Sequence, residues 1–121
     1  MAAVRYLVDD VETAVAFYTG QLGFAVVESF GSAFATVAKE DLILWLSGPK
    51  TSAARPMPDG RVPEPGGWNR IVVEVGDLAS QVAAMQAVGV RFRNAIVTGP
   101  GGKQILAEDG CGNVVELFER G

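Results

Sequence analysis

Histidine is absent from this chain, and there is a single cysteine, Cys111. The first absence removes the commonest metal ligand and the commonest general base together. The second excludes an internal disulfide framework and fits a reducing compartment, so a cytoplasmic location is expected. A basic surplus is also missing. Acidic residues outnumber basic ones 14 to 10, for a net charge of −4. Nucleic acid is therefore not an expected partner, since phosphate binding needs a basic patch. No apolar run reaches the length of a membrane span. The opening segment "MAAVRYLVDD" lacks the basic and apolar regions of a signal peptide, so neither membrane nor export is expected. At 121 residues the chain has room for one domain with one modest core.

What is present is a weak internal repeat. "VRYLVDDVETAVAFYTGQLGF" from Val4 parallels "IVVEVGDLASQVAAMQAVGVRF" from Ile71. Asp10 matches Asp77. Val11, Val15 and Tyr18 match Leu78, Val82 and Met85. Each copy reads as a short strand, an aspartate able to cap a helix, an amphipathic helix, and then a glycine. Three strands are expected after each helix, at about 24–30, 33–38 and 41–47, and at about 90–97, 103–107 and 113–118. The fold class is thus α+β, two tandem βαβββ modules at about 1–47 and 68–121. Between them, residues 47 to 67 hold five of the six prolines. That stretch cannot be a regular element, and it reads equally as a linker or as a loop over a site. Lys50, Arg55 and Arg61 make it locally basic.

Strand alternation assigns faces. Ile71, Val73 and Val75 share one side of their strand, and Arg70, Val72 and Glu74 the other. Val4, Tyr6 and Val8 lie opposite Ala3, Arg5 and Leu7. In the last strand Val115 and Leu117 oppose Val114, Glu116 and Phe118. The apolar sides suit packing under the helices. The mixed sides, with Arg5, Arg70, Glu74 and Glu116, suit solvent or a pocket, and Val72 and Phe118 beside the charges favour a pocket. Trp45 shares its strand side with Ile43 and is expected in the helix-packing core. Trp68 precedes a strand and is expected to anchor the loop or touch a ligand. Phe17 and Tyr18 read as core and interface residues. Cys111 sits in a turn with no histidine to activate it. "TGPGGK" (98–103) fails the P-loop spacing and reads as a turn.

The central question is Glu116, a carboxylate in an apolar strand that is costly to bury without a partner. Here a resemblance helps. The doubled unit, the segment "DVETAVAFYTGQLGF" and the closing "DGCGNVVELF" resemble the vicinal oxygen chelate superfamily, the group of glyoxalases, bleomycin-resistance proteins and ring-cleaving dioxygenases. The resemblance spans nearly the whole chain. It implies a curved, half-open mixed sheet with helices on the outer face, and a homodimer that closes two open sheets around each cavity.

In metal-dependent members each module can supply one ligand from its first strand and one from its last. On this sequence the resemblance places those positions at Ala3, Leu44, Arg70 and Glu116. Glu116 is then the only retained ligand-type position, and no metal or other cofactor is expected. Arg70 would stand beside Glu116 as its counter-charge. The implied function is a metal-free protein that binds a small amphipathic or aromatic ligand, as bleomycin-resistance proteins do. Its expected contacts are Arg5, Leu44, Trp68, Arg70, Val72, Glu74, Glu116 and Phe118. The alternative is an enzyme of glyoxalase, isomerase or dioxygenase type, with Glu116 or Glu74 as base or Glu116 as metal ligand.

Overall fold

Asp10 and Asp77 both cap helices, which anchors the two halves of the repeat. The computed structural model describes all 121 residues. The chain divides into two units, Met1–Gly66 and Gly67–Gly121. The first holds β1 (Val4–Leu7), α1 (Val11–Leu22), β2 (Ala25–Phe30), β3 (Phe34–Lys39) and β4 (Leu42–Ser47). The second holds β5 (Val72–Glu74), α2 (Leu78–Ala87), β6 (Val97–Gly99), β7 (Gly102–Glu108) and β8 (Val114–Arg120). The sheet orders are β1-β4-β3-β2 and β5-β8-β7-β6. In each, the first strand runs parallel to the last and the remaining pairs are antiparallel. This is the tandem βαβββ arrangement and the α+β class expected from the repeat.

Local chemistry explains the helices. The Asp10 carboxylate accepts from the Glu12 N–H and the Thr13 hydroxyl, each at 3.1 Å. The Asp77 carboxylate accepts from the Ser80 N–H at 3.0 Å. The second cap is doubled, because the Glu119 carboxylate accepts from the Leu78 N–H at 2.8 Å. These bonds satisfy donors that a helix start otherwise leaves open. Gly23 ends α1 in the left-handed region (φ 75°), where a side chain is disfavoured.

α1 buries Val11, Ala14, Phe17, Tyr18 and Leu22 against its own sheet. Tyr18 is the centre of this core. Its ring meets Phe17, Tyr6 and Phe24 edge-on, at 5.1, 6.3 and 5.7 Å. Leu44, Leu46, Ala35 and Val37 lie fully buried in the sheet. α2 buries Leu78, Val82 and Met85, and its sheet contributes Ile71, Val73, Ile105, Val115 and Leu117. Full burial of each large apolar side chain contributes about 1.5–3 kcal/mol.

Two expectations need correction. The strand expected over 90–97 is not continuous. Arg91 and Arg93 bond to β7 through their backbones, and Phe92 makes an isolated bridge to Ala107. Asn94 then breaks the ladder, because its side-chain oxygen takes the Leu106 N–H at 3.0 Å that a backbone carbonyl would otherwise hold. Regular pairing resumes only at Val97. Trp45 is the second correction. Buried Leu44 and Leu46 occupy the α1 side of β4, and Tyr6 pairs with Leu46 there. Alternation therefore puts Trp45 and Ile43 on the face turned away from the helix.

The proline-rich segment is folded on itself within the first unit. It contains a single 3₁₀ turn, Ser52–Ala54. The Met57 N–H donates to the Arg61 carbonyl at 2.7 Å, and Arg61 pairs with Asp59 at 2.8 Å. Val62, Pro63 and Pro65 line a cavity of about 250 Å³ with Leu7, Val8 and Ser47. "TGPGGK" is the β6–β7 turn, and Gly102 is required there. A Cβ on it would lie 2.1 Å from the Glu119 carbonyl oxygen.

Candidate functional site

The helix-distal face of the second sheet is built by register. Val72 lies opposite Glu116 and Glu74 opposite Phe118. On the other flank of β8, Leu106 lies opposite Glu116 and Gln104 opposite Phe118. Paired residues point to the same side, so Glu116 sits between Val72 and Leu106. The irregular segment just before β5 brings in Arg70.

The partner of Glu116 is Arg70. Nε of Arg70 donates to Glu116 Oε1 at 3.1 Å and Nη2 to the same oxygen at 2.9 Å. Nη1 donates to the Trp68 carbonyl at 3.3 Å. The two side chains are 26% and 11% exposed, so the pair is mostly withdrawn from water while one side remains wet. Oε2 of Glu116 has no protein donor. The carboxylate is thus neutralised by a guanidinium whose orientation is fixed by a backbone carbonyl.

Other expected site residues distribute as follows. Val72 is half-exposed on the same face as Glu116, and Phe118 is half-buried there. Glu74 is bound to Arg120, whose guanidinium also lies 5.9 Å from the Phe118 ring. The Trp68 ring is largely exposed, and its backbone rather than its ring touches Arg70. Arg5 and Leu44 belong to the first unit and lie on opposite faces of that sheet. Arg5 stacks over Trp45 at 5.0 Å and donates to the Ser47 hydroxyl at 2.9 Å. Leu44 is fully buried on the α1 side.

Hydrogen bonds at the strand ends correct the correspondence between modules. The Val8 N–H donates to Ser47 O, and the Val75 N–H to Phe118 O. Two residues back from Ser47 and Phe118 stand Trp45 and Glu116. Trp45, not Leu44, is therefore the first-module counterpart of Glu116. Counting back five residues from Val8 and Val75 gives Ala3 and Arg70, as the resemblance placed them. The slip was one residue, and in a strand one residue reverses the face.

A divalent cation does not suit these donors. The four corresponding positions are Ala3, Trp45, Arg70 and Glu116, one carboxylate among them, and that carboxylate is held by a guanidinium. The residues opposite Glu116, Val72 and Leu106, offer no N, O or S ligand. No group of three histidine, cysteine or acidic residues in the chain could hold a metal ion. A divalent site needs several such ligands.

The "DGCGN" turn before β8 carries a structural knot that the sequence pattern did not separate from function. Asp109 is 1% exposed. Its Oδ1 accepts from the N–H groups of Cys111 at 2.7 Å and Asn113 at 3.0 Å, and its Oδ2 accepts from the Asn113 amide at 3.3 Å. A buried carboxylate satisfied this way fixes the entry angle of β8 and so aims Glu116. Cys111 is buried in the same turn. The helix-distal placement of Trp45 and the contact of Arg120 with Glu74 and Phe118 lie outside the sequence expectation. The face of Trp45 was legible only from register, and Arg120 lay beyond the expected end of β8.

Residues 1–117 match the model of the Glyoxalase/Bleomycin resistance protein/Dioxygenase superfamily. The chain belongs to that superfamily. Among solved structures, it resembles lactoylglutathione lyase from Agrobacterium tumefaciens, with 20% identity, TM-score 0.72, and 98% of this chain and 92% of that one covered. The genomically encoded fosfomycin resistance protein FosX from Listeria monocytogenes matches with 14% identity, TM-score 0.74, and coverage of 100% and 93%. The antibiotic-binding protein TnmS3 from Streptomyces sp. CB03234 matches with 22% identity, TM-score 0.70, and coverage of 100% and 97%. At these identities the likeness is one of fold. No curated protein matches the chain at a significant level. No helix is long and apolar enough to cross a membrane.

Proposed function

We propose that this superfamily member is a metal-free small-molecule binding protein that sequesters an amphipathic or aromatic compound. The observation that carries this reading is the double hydrogen bond from Arg70 to Glu116. A fixed cation at a position that the family resemblance assigns to a metal ligand supports a metal-free site. The pairing also leaves Glu116 Oε2 and the apolar surface of Val72 and Phe118 beside it, a pattern of few polar groups on apolar ground that suits small organic ligands. The antibiotic-binding and fosfomycin-resistance relatives make a drug-like compound a reasonable ligand class. The protein would work in the cytoplasm as a homodimer. The exposed edge strand β2, with Val26, Val27 and Phe30 largely uncovered, supports pairing.

The alternative, an enzyme with Glu116 as base, draws on the same free Oε2. The carboxylate would have to take a proton while held by Arg70.

One experiment separates these readings. Elemental analysis of purified protein is combined with thermal unfolding in Zn²⁺, Ni²⁺ and Mn²⁺ and in a panel of aromatic antibiotics. No stoichiometric metal, no stabilisation by the ions, and stabilisation by a panel compound without its turnover are expected. One metal per chain, lost in Glu116→Gln, would overturn the reading. Turnover of a stabilising compound, abolished by the same variant, would replace it with the enzymatic one.

A further inference from the structure

The helix-distal face of the first sheet carries a row of four residues across its four strands. Register sets Arg5 of β1 opposite Trp45 of β4, Trp45 opposite Thr36 of β3, and Thr36 opposite Glu28 of β2. Each member has a distinct state. Arg5 is exposed, stacks on the Trp45 ring at 5.0 Å, and donates from Nη1 to the Ser47 hydroxyl. It forms no ion pair, so its remaining N–H donors stay open. Phe34 meets the Trp45 ring edge-on at 6.0 Å. Thr36 is 5% exposed, and its Oγ1 is the one buried side-chain N or O atom without a hydrogen-bond partner.

Each feature has a cost unless something completes it. A buried hydroxyl without a partner has lost its water and gained nothing in return, and native proteins tolerate few such groups. Valine has nearly the same shape and would remove that cost. An arginine held by a ring and a hydroxyl is oriented without being neutralised, which leaves its planar fork free for an oxyanion. Glu28 does not fill this role. It lies three interstrand spacings from Arg5, about 14 Å along the row. An aromatic ring beside the cation supplies apolar area without a charge of its own.

Resting on the reading that this protein binds a small molecule, we propose that the Arg5–Trp45–Thr36 row recognises a planar aromatic anion. The acidic group takes the free N–H donors of Arg5. The ring lies against the Trp45–Phe34 pair. An oxygen substituent on the ring, such as a phenol or carbonyl, bonds to Thr36 Oγ1 once a side-chain rotation on this face uncovers that buried hydroxyl. This defines a ligand class for the first module and assigns charge selectivity to a different residue from the Arg70 of the second.

The test is calorimetric titration of the purified full chain with three probes: 2-naphthoate, its 6-hydroxy derivative, whose hydroxyl lies at the far end of the ring from the carboxylate, and 2-(aminomethyl)naphthalene as the cationic counterpart. Both anions are expected to bind at least about tenfold more tightly than the amine, the scale of one charge-assisted contact. Arg5→Met should erase that preference. Thr36→Val should keep or raise the melting temperature and remove the advantage of the hydroxyl derivative over 2-naphthoate. Unaltered binding in Arg5→Met, an amine that binds as tightly as the acids, or no binding of any probe would overturn the proposal. If Arg5→Met is silent while Arg70→Met abolishes anion binding, the small-molecule function stands and this assignment falls.

Discussion

The two modules share a frame but spend their charges differently. In the second, three of the four arginines on or beside the sheet are met by carboxylates, Arg70 by Glu116, Arg93 by Glu108 and Arg120 by Glu74, and only Arg91 has none. Lys103 lies 3.9 Å from Glu119. In the first, Arg5 has a tryptophan and a serine and no carboxylate. One face is neutralised from within, whereas the other holds a cation in position and leaves it unneutralised. In equivalent backbone positions, Glu116 and Trp45 mark where they diverged. A duplicated module can keep its strand register and helix caps while exchanging a self-satisfied ionic face for an aromatic one. On the proposals above, the incomplete face would select the charge of the ligand, and the completed one would add stability beside its own apolar ground.

The largest expected effect comes from cutting the charge on each side. Arg70→Ala strands a mostly buried carboxylate. Removing one partner of a fully buried pair costs about 3–5 kcal/mol, and partial access of water lowers the expectation to about 2–3. Arg5→Ala removes only a cation–π contact and a single hydrogen bond at an exposed site, for about 1 kcal/mol or less. Chemical denaturation of the two variants side by side measures the contrast. Equal losses would erase it.

A smaller effect separates the helix caps. The backbone hydrogen bond from Ser80 holds the Asp77 carboxyl below its ordinary value of 3.8, aided by the Ser80 side chain. A depressed folded-state value stabilises the fold above the unfolded value, and this contribution is lost as pH falls through the folded one. Asp77→Asn can still cap α2 but cannot ionise. It should be less stable than the native chain near neutrality, and the difference should shrink below about pH 4. A constant difference across that range in thermal unfolding would assign the cap no ionic part.

Much of this was legible in the sequence because the repeat is written in short-range chemistry. Asp10 and Asp77 announce their helices by spacing alone, and glycine ends the first. The apolar sides of β1, β5 and β8 follow from alternation. The ion pair at Glu116 was foreseeable once Arg70 was counted onto a neighbouring strand. Elsewhere the outcome depended on tertiary detail. Asn94 interrupts a strand with a side chain that mimics a carbonyl. The face of Trp45 is not legible from sequence, because apolar character cannot distinguish the two sides of a strand that is apolar throughout. Thr36 gave no signal, since an unpartnered hydroxyl exists only once its neighbours are packed. Asp109 and Asn113 were visible as a motif, but their role in setting β8 required the hydrogen bonds.

The central claim is that Arg70 is the resident counter-charge of Glu116. A double-mutant cycle with Arg70→Met, Glu116→Leu and their combination tests it most directly. The account predicts that each single variant destabilises the chain and that the double variant recovers much of the loss, with a coupling energy above about 1 kcal/mol. Additive losses with no coupling would show that the two side chains do not depend on one another, and would contradict it.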